Sequence, residues 1–256
     1  MNDMVVSPDA VAALVRSAAE TEILPRFKNL AAGEVREKAP GQIVTDADVA
    51  AEKLLADTLT SLLPGAVVGE EGVAEDPTRM QALQRPGPVW VIDPVDGTAN
   101  FVVGNPRFAV IVALVIDGET KLGLIHDPVA DHTVFAMAGQ GAWEGGKRLL
   151  VPVEKPIAEM TGSAKRRSPL ADCAGHVGRR GSAGQDYLDL ARGALDFAYY
   201  RGLTPWDHAA GVLIHREAQG YGALLGDRPY SPVVPYDERL LLAPGRTSWA
   251  ALSAAL

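Results

Sequence analysis

The sequence predicts a mixed α/β chain in two lobes, the first over residues 1–150 and the second over 151–256. Three observations carry this expectation. Apolar residues at helical spacing alternate along the chain with short β-branched runs. Between Phe108 and Met137 the β-branched runs follow one another across tight turns, which is the pattern of an antiparallel meander. From Val151 the texture changes, and Pro152 and Pro156 mark a crossing between lobes.

Taken in order, Ser7-Pro8-Asp9 reads as a helix start with a capping serine, a proline in the first turn and an acid at the positive end. Val11, Leu14, Val15 and Ala18 give that helix one apolar face, and Pro25 ends or bends it. Lys38 lies in a polar stretch with Pro and Gly before Ile43-Val44. Thr45-Asp46-Ala47-Asp48 has the Thr-x-x-Asp spacing of a capping box for a helix through Leu54, Leu55 and Leu59. Pro64-Gly65 turns the chain into a short strand at Val67-Val68, which delivers Gly69-Glu70-Glu71-Gly72. By composition those acids form a solvated loop, and residues 74–88 a surface connection. Trp90 to Ile92 begins a buried strand that should stop at Asp93-Pro94, because proline lacks a backbone donor. Asp96-Gly97 is a turn pair, with Thr98 or Asp96 capping a helix near Ala99.

Phe108 to Ile116 reads as a strand covered on both faces. Asp117-Gly118 makes a hairpin turn, Leu122 to Ile125 returns antiparallel, and Thr133 to Met137 adds a further strand. In the second lobe, Leu188, Ala191 and Leu195 suit a core helix. Thr204-Pro205 opens another helix, with Asp207 at the third position of a capping box, and Gly220 ends it. Arg166-Arg167 and Arg179-Arg180 are basic pairs of the kind usually left in solvent. Pro229, Pro232 and Pro235 mark a loop before a last strand, Leu240 to Ala243.

Composition narrows the function. At 47% hydrophobic and 22% charged, the 256-residue chain is an ordinary globular protein with room for a large core. A net charge of −8 argues against general nucleic-acid binding, and an anionic ligand must be drawn by local positive charge. The single cysteine, Cys173, cannot form an internal disulfide, which is consistent with a reducing compartment. Asp3 and Asp9 occupy the N-terminal stretch in place of a basic-then-apolar leader. The longest apolar run, Phe108 to Ile116, is far short of the ~20 residues that span a bilayer. The expectation is a cytoplasmic protein with neither a nucleic-acid nor a membrane partner. The five histidines show no zinc-protease spacing, and neither a nucleophile elbow nor a P-loop is present.

One stretch carries chemistry. Asp93 and Asp96 stand on one bend at the end of a buried strand. Two carboxylates that close repel unless a cation lies between them, and a hard divalent ion suits oxygen ligands. Beside them Gly97 leaves the backbone bare before a helix N-terminus, an arrangement that receives anions. A cation site touching an anion site is what metal-assisted chemistry on phosphate requires. A strand-turn-helix corner with two capping aspartates explains the same residues.

Asp93-Pro94-Val95-Asp96-Gly97-Thr98 resembles the metal-binding motif of the inositol monophosphatase family, a set of Mg²⁺-dependent phosphatases. Three further segments resemble it in the right order: the Thr45 to Asp48 box, Gly69-Glu70-Glu71, and Trp206-Asp207-His208-Ala209-Ala210. The resemblance covers nearly the whole chain. It implies a layered α-β-α-β-α sandwich of the sugar phosphatase type, assembled as a homodimer. It also implies two or three Mg²⁺ ions held by Glu70, Asp93, the Val95 carbonyl, Asp96 and Asp207. Glu70 and Thr98, the latter backed by Asp48, would orient the attacking water. Substrate would be held by Asp96, the amides of Gly97 and Thr98, Ala183 in a Gly-Ser-Ala segment, Arg201 and Asp207. The first lobe then carries most metal ligands, and the second carries Asp207 and the specificity residues.

The chain departs from the family's pattern at four places. Glu144 stands where Asn is common, in a turn read as structural. Gln185-Asp186 replaces smaller or more apolar residues. Arg201 stands near a Glu of the inositol-specific members, and Gln219 replaces a Gly. The implied substrate is a small phosphorylated metabolite, inositol monophosphate first. Histidinol phosphate, fructose 1,6-bisphosphate and 3′-phosphoadenosine compounds are alternatives, and a non-catalytic regulatory protein on the same fold is a third reading.

Overall fold

The computed structural model describes residues 6–165 and 167–256; Asp3 and Arg166 lie outside them. Helix α1 (Pro8–Ala18) starts as expected, with the Ala10 amide donating to the Ser7 hydroxyl at 3.4 Å. A single π turn, Ala19–Ile23, prolongs it to just before Pro25. The polar stretch around Lys38 is a hairpin, β1 (Val35–Ala39) and β2 (Gln42–Thr45), with a bulge between Glu37 and Ala39. Helix α2 (Asp46–Leu62) follows it. Strand β3 (Ala66–Gly69) leads directly into the short helix α3 (Glu70–Glu75), so Glu70 and Glu71 begin a helix and do not form the loop their composition suggests. A 3₁₀ segment, Pro77–Gln84, fills the surface connection.

Strand β4 (Pro88–Asp96) and helix α4 (Thr98–Val102) carry the central motif. The meander then runs through β5 (Ala109–Ile116), β6 (Glu119–Asp127), β7 (His132–Met137), β8 (Gly141–Glu144) and β9 (Lys147–Leu149). Asp117 and Gly118 both take positive φ, 52° and 79°, the conformation a two-residue hairpin needs. Together these strands make a seven-stranded sheet in the order β3-β4-β5-β6-β7-β8-β9, parallel only between β3 and β4.

The remainder forms a second, five-stranded sheet with its helices. Its elements are β10 (Thr161–Ser163), β11 (His176–Gly178), α5 (Ala183–Arg192), β12 (Phe197–Arg201), α6 (Pro205–Glu217), β13 (Tyr221–Leu224), β14 (Arg239–Ala243) and α7 (Arg246–Ala254). The strand order is β11-β10-β12-β14-β13. Helix α6 stops at Glu217, and Gln219 takes a φ of 69°, left-handed backbone that a glycine adopts without strain.

Alternation along the large sheet explains the layering. Trp90, Ile92, Val110, Val112, Leu122 and Leu124 share a core with α1 and α2. Val89, Val91, Ile111, Ala113, Val115 and Ile125 face the opposite way, into a core with α5, α6 and the second sheet. Period-two patterning buries both faces of such a strand, and each fully buried large apolar side chain contributes about 2 kcal/mol. Trp90 is fully buried and donates its indole N–H to the Leu63 carbonyl at 3.0 Å. The other face of the second sheet packs Phe197, Tyr199 and Leu241 with Trp249 and Leu252 of α7. The result is the expected α-β-α-β-α sandwich. The middle core contains residues from both halves of the chain.

Candidate active site

The site begins with a defect in the large sheet. Asp93 lies opposite Ile111 of β5 and Asp96 opposite Ala109, so three steps along β4 match two along β5. The extra residue is a bulge at Pro94-Val95, where a proline without a donor is tolerated. Strand β4 therefore does not stop at Asp93-Pro94, as proline chemistry suggested; it bulges and continues to Asp96. Side chains three apart in a regular strand point to opposite faces. The bulge restores the phase and turns both carboxylates toward the layer of α5 and α6.

Asp207 reaches the same place from the first turn of α6. Each of Asp93, Asp96 and Asp207 offers a carboxylate oxygen within 4.8 Å of the other two. Thr204 is the N-cap residue and Pro205 the first helical one, as expected, but no side-chain cap bond forms. Asp207 turns into the acidic cluster and does not close a capping box. Asp93 is 1% exposed and Asp96 6%. Burial and mutual repulsion, joined by the Glu70 charge, raise Asp93 well above the usual carboxylate range. Burial likewise raises Asp96 and Asp207. Three mutually repelling oxygen donors, two buried and Asp207 half-buried, fit a hard divalent cation.

Around this cluster the other expected residues fall into place unequally. Gly97 is the N-cap of α4 with a φ of 91°, so neither Thr98 nor Asp96 caps that helix. A Cβ at Gly97 would meet Ser182 Cβ at 3.0 Å and the Arg107 carbonyl at 3.1 Å. Thr98 Oγ1 lies 3.1 Å from Asp48 Oδ1 and 3.0 Å from the Val95 carbonyl oxygen. Asp48 Oδ2 meanwhile accepts from the Thr45 amide at 2.8 Å and the Thr45 hydroxyl at 2.5 Å. Capping and support of Thr98 thus coexist in one buried carboxyl group, which burial pushes up to about 6.

Glu70 is not among the three converging carboxylates. Its Oε1 accepts from Lys38 Nζ at 2.7 Å, and Glu71 Oε1 accepts from the same ammonium at 2.7 Å. Burial pulls the Lys38 ammonium down, but the two carboxylates outweigh it and hold the group above its ordinary value. Glu52, which the sequence reading passed over, accepts the amides of Glu71 and Gly72 at 2.8 and 2.7 Å. It anchors the turn that presents Glu70.

The mount of Asp96 also escaped the sequence reading. Asp96 Oδ2 accepts from the Ser182 hydroxyl at 2.5 Å and the Gly184 amide at 2.6 Å, while Oδ1 accepts from the Ala183 amide at 3.1 Å. The N-terminus of α5 therefore holds Asp96, because its first amides lack intrahelical acceptors. The Ser-x-x-Gln spacing from Ser182 to Gln185 was the available signal. Gln185 itself is buried, donating to the Phe108 carbonyl and to Asp127 Oδ2, both at 2.9 Å. It ties α5 to the large sheet. Asp186 lines the cavity described next, and Arg180 is paired with Asp189 and not simply solvated. Glu144 is structural as expected, pairing with Arg192 at 2.5 Å.

A cavity of about 550 Å³ opens from the acidic cluster and includes Asp96, Asp207, Ala183 and Arg201 in its wall. That volume suits a small ligand. An acidic cluster for cations now stands beside a threonine–aspartate pair and a substrate-sized cavity.

A profile of the inositol monophosphatase family matches residues 7–254. The chain belongs to the inositol monophosphatase family. One relative, the fructose-1,6-bisphosphatase/inositol-1-monophosphatase of Thermotoga maritima, is 34% identical over 190 residues, covering 70% of each chain. The inositol-1-monophosphatase of Bacillus subtilis is 31% identical, covering 75% of this chain and 76% of its own. The Nus factor SuhB of Escherichia coli is 33% identical, covering 77% and 78%. Among solved structures, the inositol monophosphatase of Thermotoga maritima superposes with a TM-score of 0.83 at 25% identity, covering 96% of this chain and 95% of its own. Membership of the family agrees with the layered fold and with the acidic group between the large sheet and α6.

Proposed function

We propose that this family member is a Mg²⁺-dependent phosphatase acting on a small phosphate monoester, with inositol monophosphate as the first candidate. The convergence of Asp93, Asp96 and Asp207 from a bulged strand and a helix start is the observation that carries the reading. Asp93, Asp96 and Asp207 would hold Mg²⁺, with Glu70 and the Val95 carbonyl completing the oxygen donors. Bound there, the metal supplies Lewis-acid activation of water and neutralises charge on phosphorus oxygens.

The remaining work falls to the chain's own groups. Asp48 accepts the Thr98 hydroxyl proton, which leaves a Thr98 oxygen lone pair directed to the attacking water. Glu70, once its carboxylate is shared away from Lys38, takes a proton from that water. Amides of Gly97 and Thr98 at the start of α4 donate to phosphate oxygens. Ala183 and Arg201 in the cavity wall orient the ester's alcohol portion.

The name of the Escherichia coli relative keeps a regulatory reading in view. The intact set of acidic residues and the Thr98–Asp48 pair favour turnover. No described helix is long and apolar enough to cross a membrane, and a cytoplasmic homodimer completes the proposal. Phosphate release from a panel of esters, measured with and without Mg²⁺, tests it. Release that depends on Mg²⁺ is expected, and no release from any ester would overturn the reading.

A further inference from the structure

The starts of two helices meet at Asp96, and one side chain ties them together. Helix α4 opens at Gly97, where a Cβ would come within 3.1 Å of the Arg107 carbonyl oxygen and 3.2 Å of the Gly181 carbonyl oxygen. Helix α5 opens at Ser182 and holds Asp96 through the Ser182 hydroxyl and the Gly184 amide. Asn100, in the first turn of α4, bridges the segments that lead out of one helix and into the other. Its Nδ2 donates to the Arg107 carbonyl at 2.7 Å and to the Arg180 carbonyl at 3.0 Å. Its Oδ1 accepts from Asn105 Nδ2 at 3.1 Å, which fixes the orientation of the amide. The same two arginines are gripped at their other ends. Asp189 of α5 accepts from the Arg107 guanidinium at 2.8 Å and pairs with Arg180. Arg107 and Arg180 are thus held by their carbonyls from α4 and by their side chains from α5.

We propose that Asn100 is a positioning residue, which sets the separation between the first amides of α4 and the Asp96 carboxylate. The inference rests on the phosphatase reading, in which the Gly97 and Thr98 amides hold phosphate oxygens and Asp96 holds a cation. Those two groups must keep one geometry while charge moves between them. They are mounted on different helices, because Asp96 hangs from α5 and the amides belong to α4. The covalent link between them is Gly97, at a φ of 91° and with no side chain to stiffen it. Rigidity is supplied from across the gap, by the Asn100 amide. An asparagine suits this work because one Nδ2 carries two hydrogens and satisfies two carbonyls at once, whereas an ionised aspartate has no donor. Asn100 does not act on substrate directly. Both faces of its amide are engaged within the protein, and it is not one of the described residues that line the cavity.

Full-length Asn100→Ala and Asn100→Asp, assayed in Mg²⁺ with an ester the unaltered protein hydrolyses, test it. Both lack the donor and should lower kcat by about 10- to 100-fold, since a misplacement of about 1 Å costs that much. The inhibition constant of inorganic phosphate should rise about tenfold, because the amides of α4 no longer face the anion squarely. Tm in a chelator should fall by only about 5 °C, the effect of losing two neutral hydrogen bonds. Asp189→Asn loosens the same arginines from the far end and should lower kcat in the same direction. In the Asn100→Ala/Asp189→Asn double variant the loss in kcat should be smaller than the product of the single losses, because both residues act through Arg107 and Arg180. Folded Asn100 variants with kcat and phosphate inhibition within twofold of the unaltered protein would overturn the inference and leave the phosphatase reading standing. Should the Asn100 variants not fold, unchanged kcat in Asp189→Asn would overturn it equally. An unaltered chain that releases phosphate from no ester would overturn both.

Discussion

Asp48 and Thr98 stand fifty residues apart in the chain, yet Thr98 Oγ1 lies 3.1 Å from Asp48 Oδ1. The same carboxyl group closes the capping box at the start of α2. A rigid helix start is a good mount for a residue that acts through another. The arrangement predicts a split between activity and stability. Thr98→Ala should lower kcat for phosphate release by about 10²–10⁴-fold. Asp48→Asn keeps an acceptor for the Thr45 amide, so it should lose activity on a similar scale and only about 1 kcal/mol of stability. Steady-state kinetics beside thermal unfolding of both variants checks this. Equal KM with reduced kcat is the expected signature of a lost water-orienting group.

Asp93 faces Asp96 and Asp207 in a buried setting that disfavours its charge. Removing that charge helps the metal-free fold and harms the site. Asp93→Asn should therefore reduce Mg²⁺-dependent phosphate release by several orders of magnitude while keeping or raising Tm in a chelator. Turnover near that of the unaltered chain would remove Asp93 from the machinery.

On the proposed reading, Mg²⁺ binds the assembled cluster and has no such cluster to bind in the unfolded chain. Mass action then raises stability by about 2.7 kcal/mol at a hundredfold excess over Kd. For a chain of this size that corresponds to a Tm increase of about 5–10 °C. Differential scanning calorimetry across a Mg²⁺ series measures it, and Asp93→Asn should remove most of the shift.

His215 is buried on α6 and donates from Nε2 to the Ala243 carbonyl at 2.9 Å. Burial pulls its pKa down to about 4 from 6.5. The unfolded chain then binds the proton more readily. The stability this group contributes is present above pH 6.5 and is lost as pH falls toward 4. Burial of the acids Asp48 and Asp186, each pushed up to about 6, acts in the opposite direction over the window from 4 to 6. The difference between proteins isolates the histidine. His215→Gln keeps an amide donor for the Ala243 carbonyl and should show a flatter decline in Tm between pH 6.5 and 4.

Much of the fold was legible because local patterns agreed with the final structure. The meander from Phe108 to Met137, its Asp117-Gly118 turn and the helix after Ser7 follow from alternation, turn chemistry and capping. The β1–β2 hairpin was hidden because polar exposed strands such as Val35–Ala39 lack an apolar stripe. Proline at position 94 misled for a different reason. Its missing donor ends a regular ladder, but a bulge has one residue that needs no ladder bond. At Thr204 the capping spacing was present, yet Asp207 gave its side chain to the cluster.

By itself the sequence determined which carboxylates are available as oxygen donors, where α1 and the strands of the meander begin, and which family the motifs resemble. Those are properties of composition and spacing along one chain. Only the tertiary structure decided that Asp93 and Asp96 share a face, because that phase depends on the register of β4 against β5. It alone decided that Glu70 meets Lys38, that Ser182 and Gly184 hold Asp96, and that Arg239 stands opposite Arg201. Such contacts arise where separate elements pack, and no local spacing encodes the partner's position.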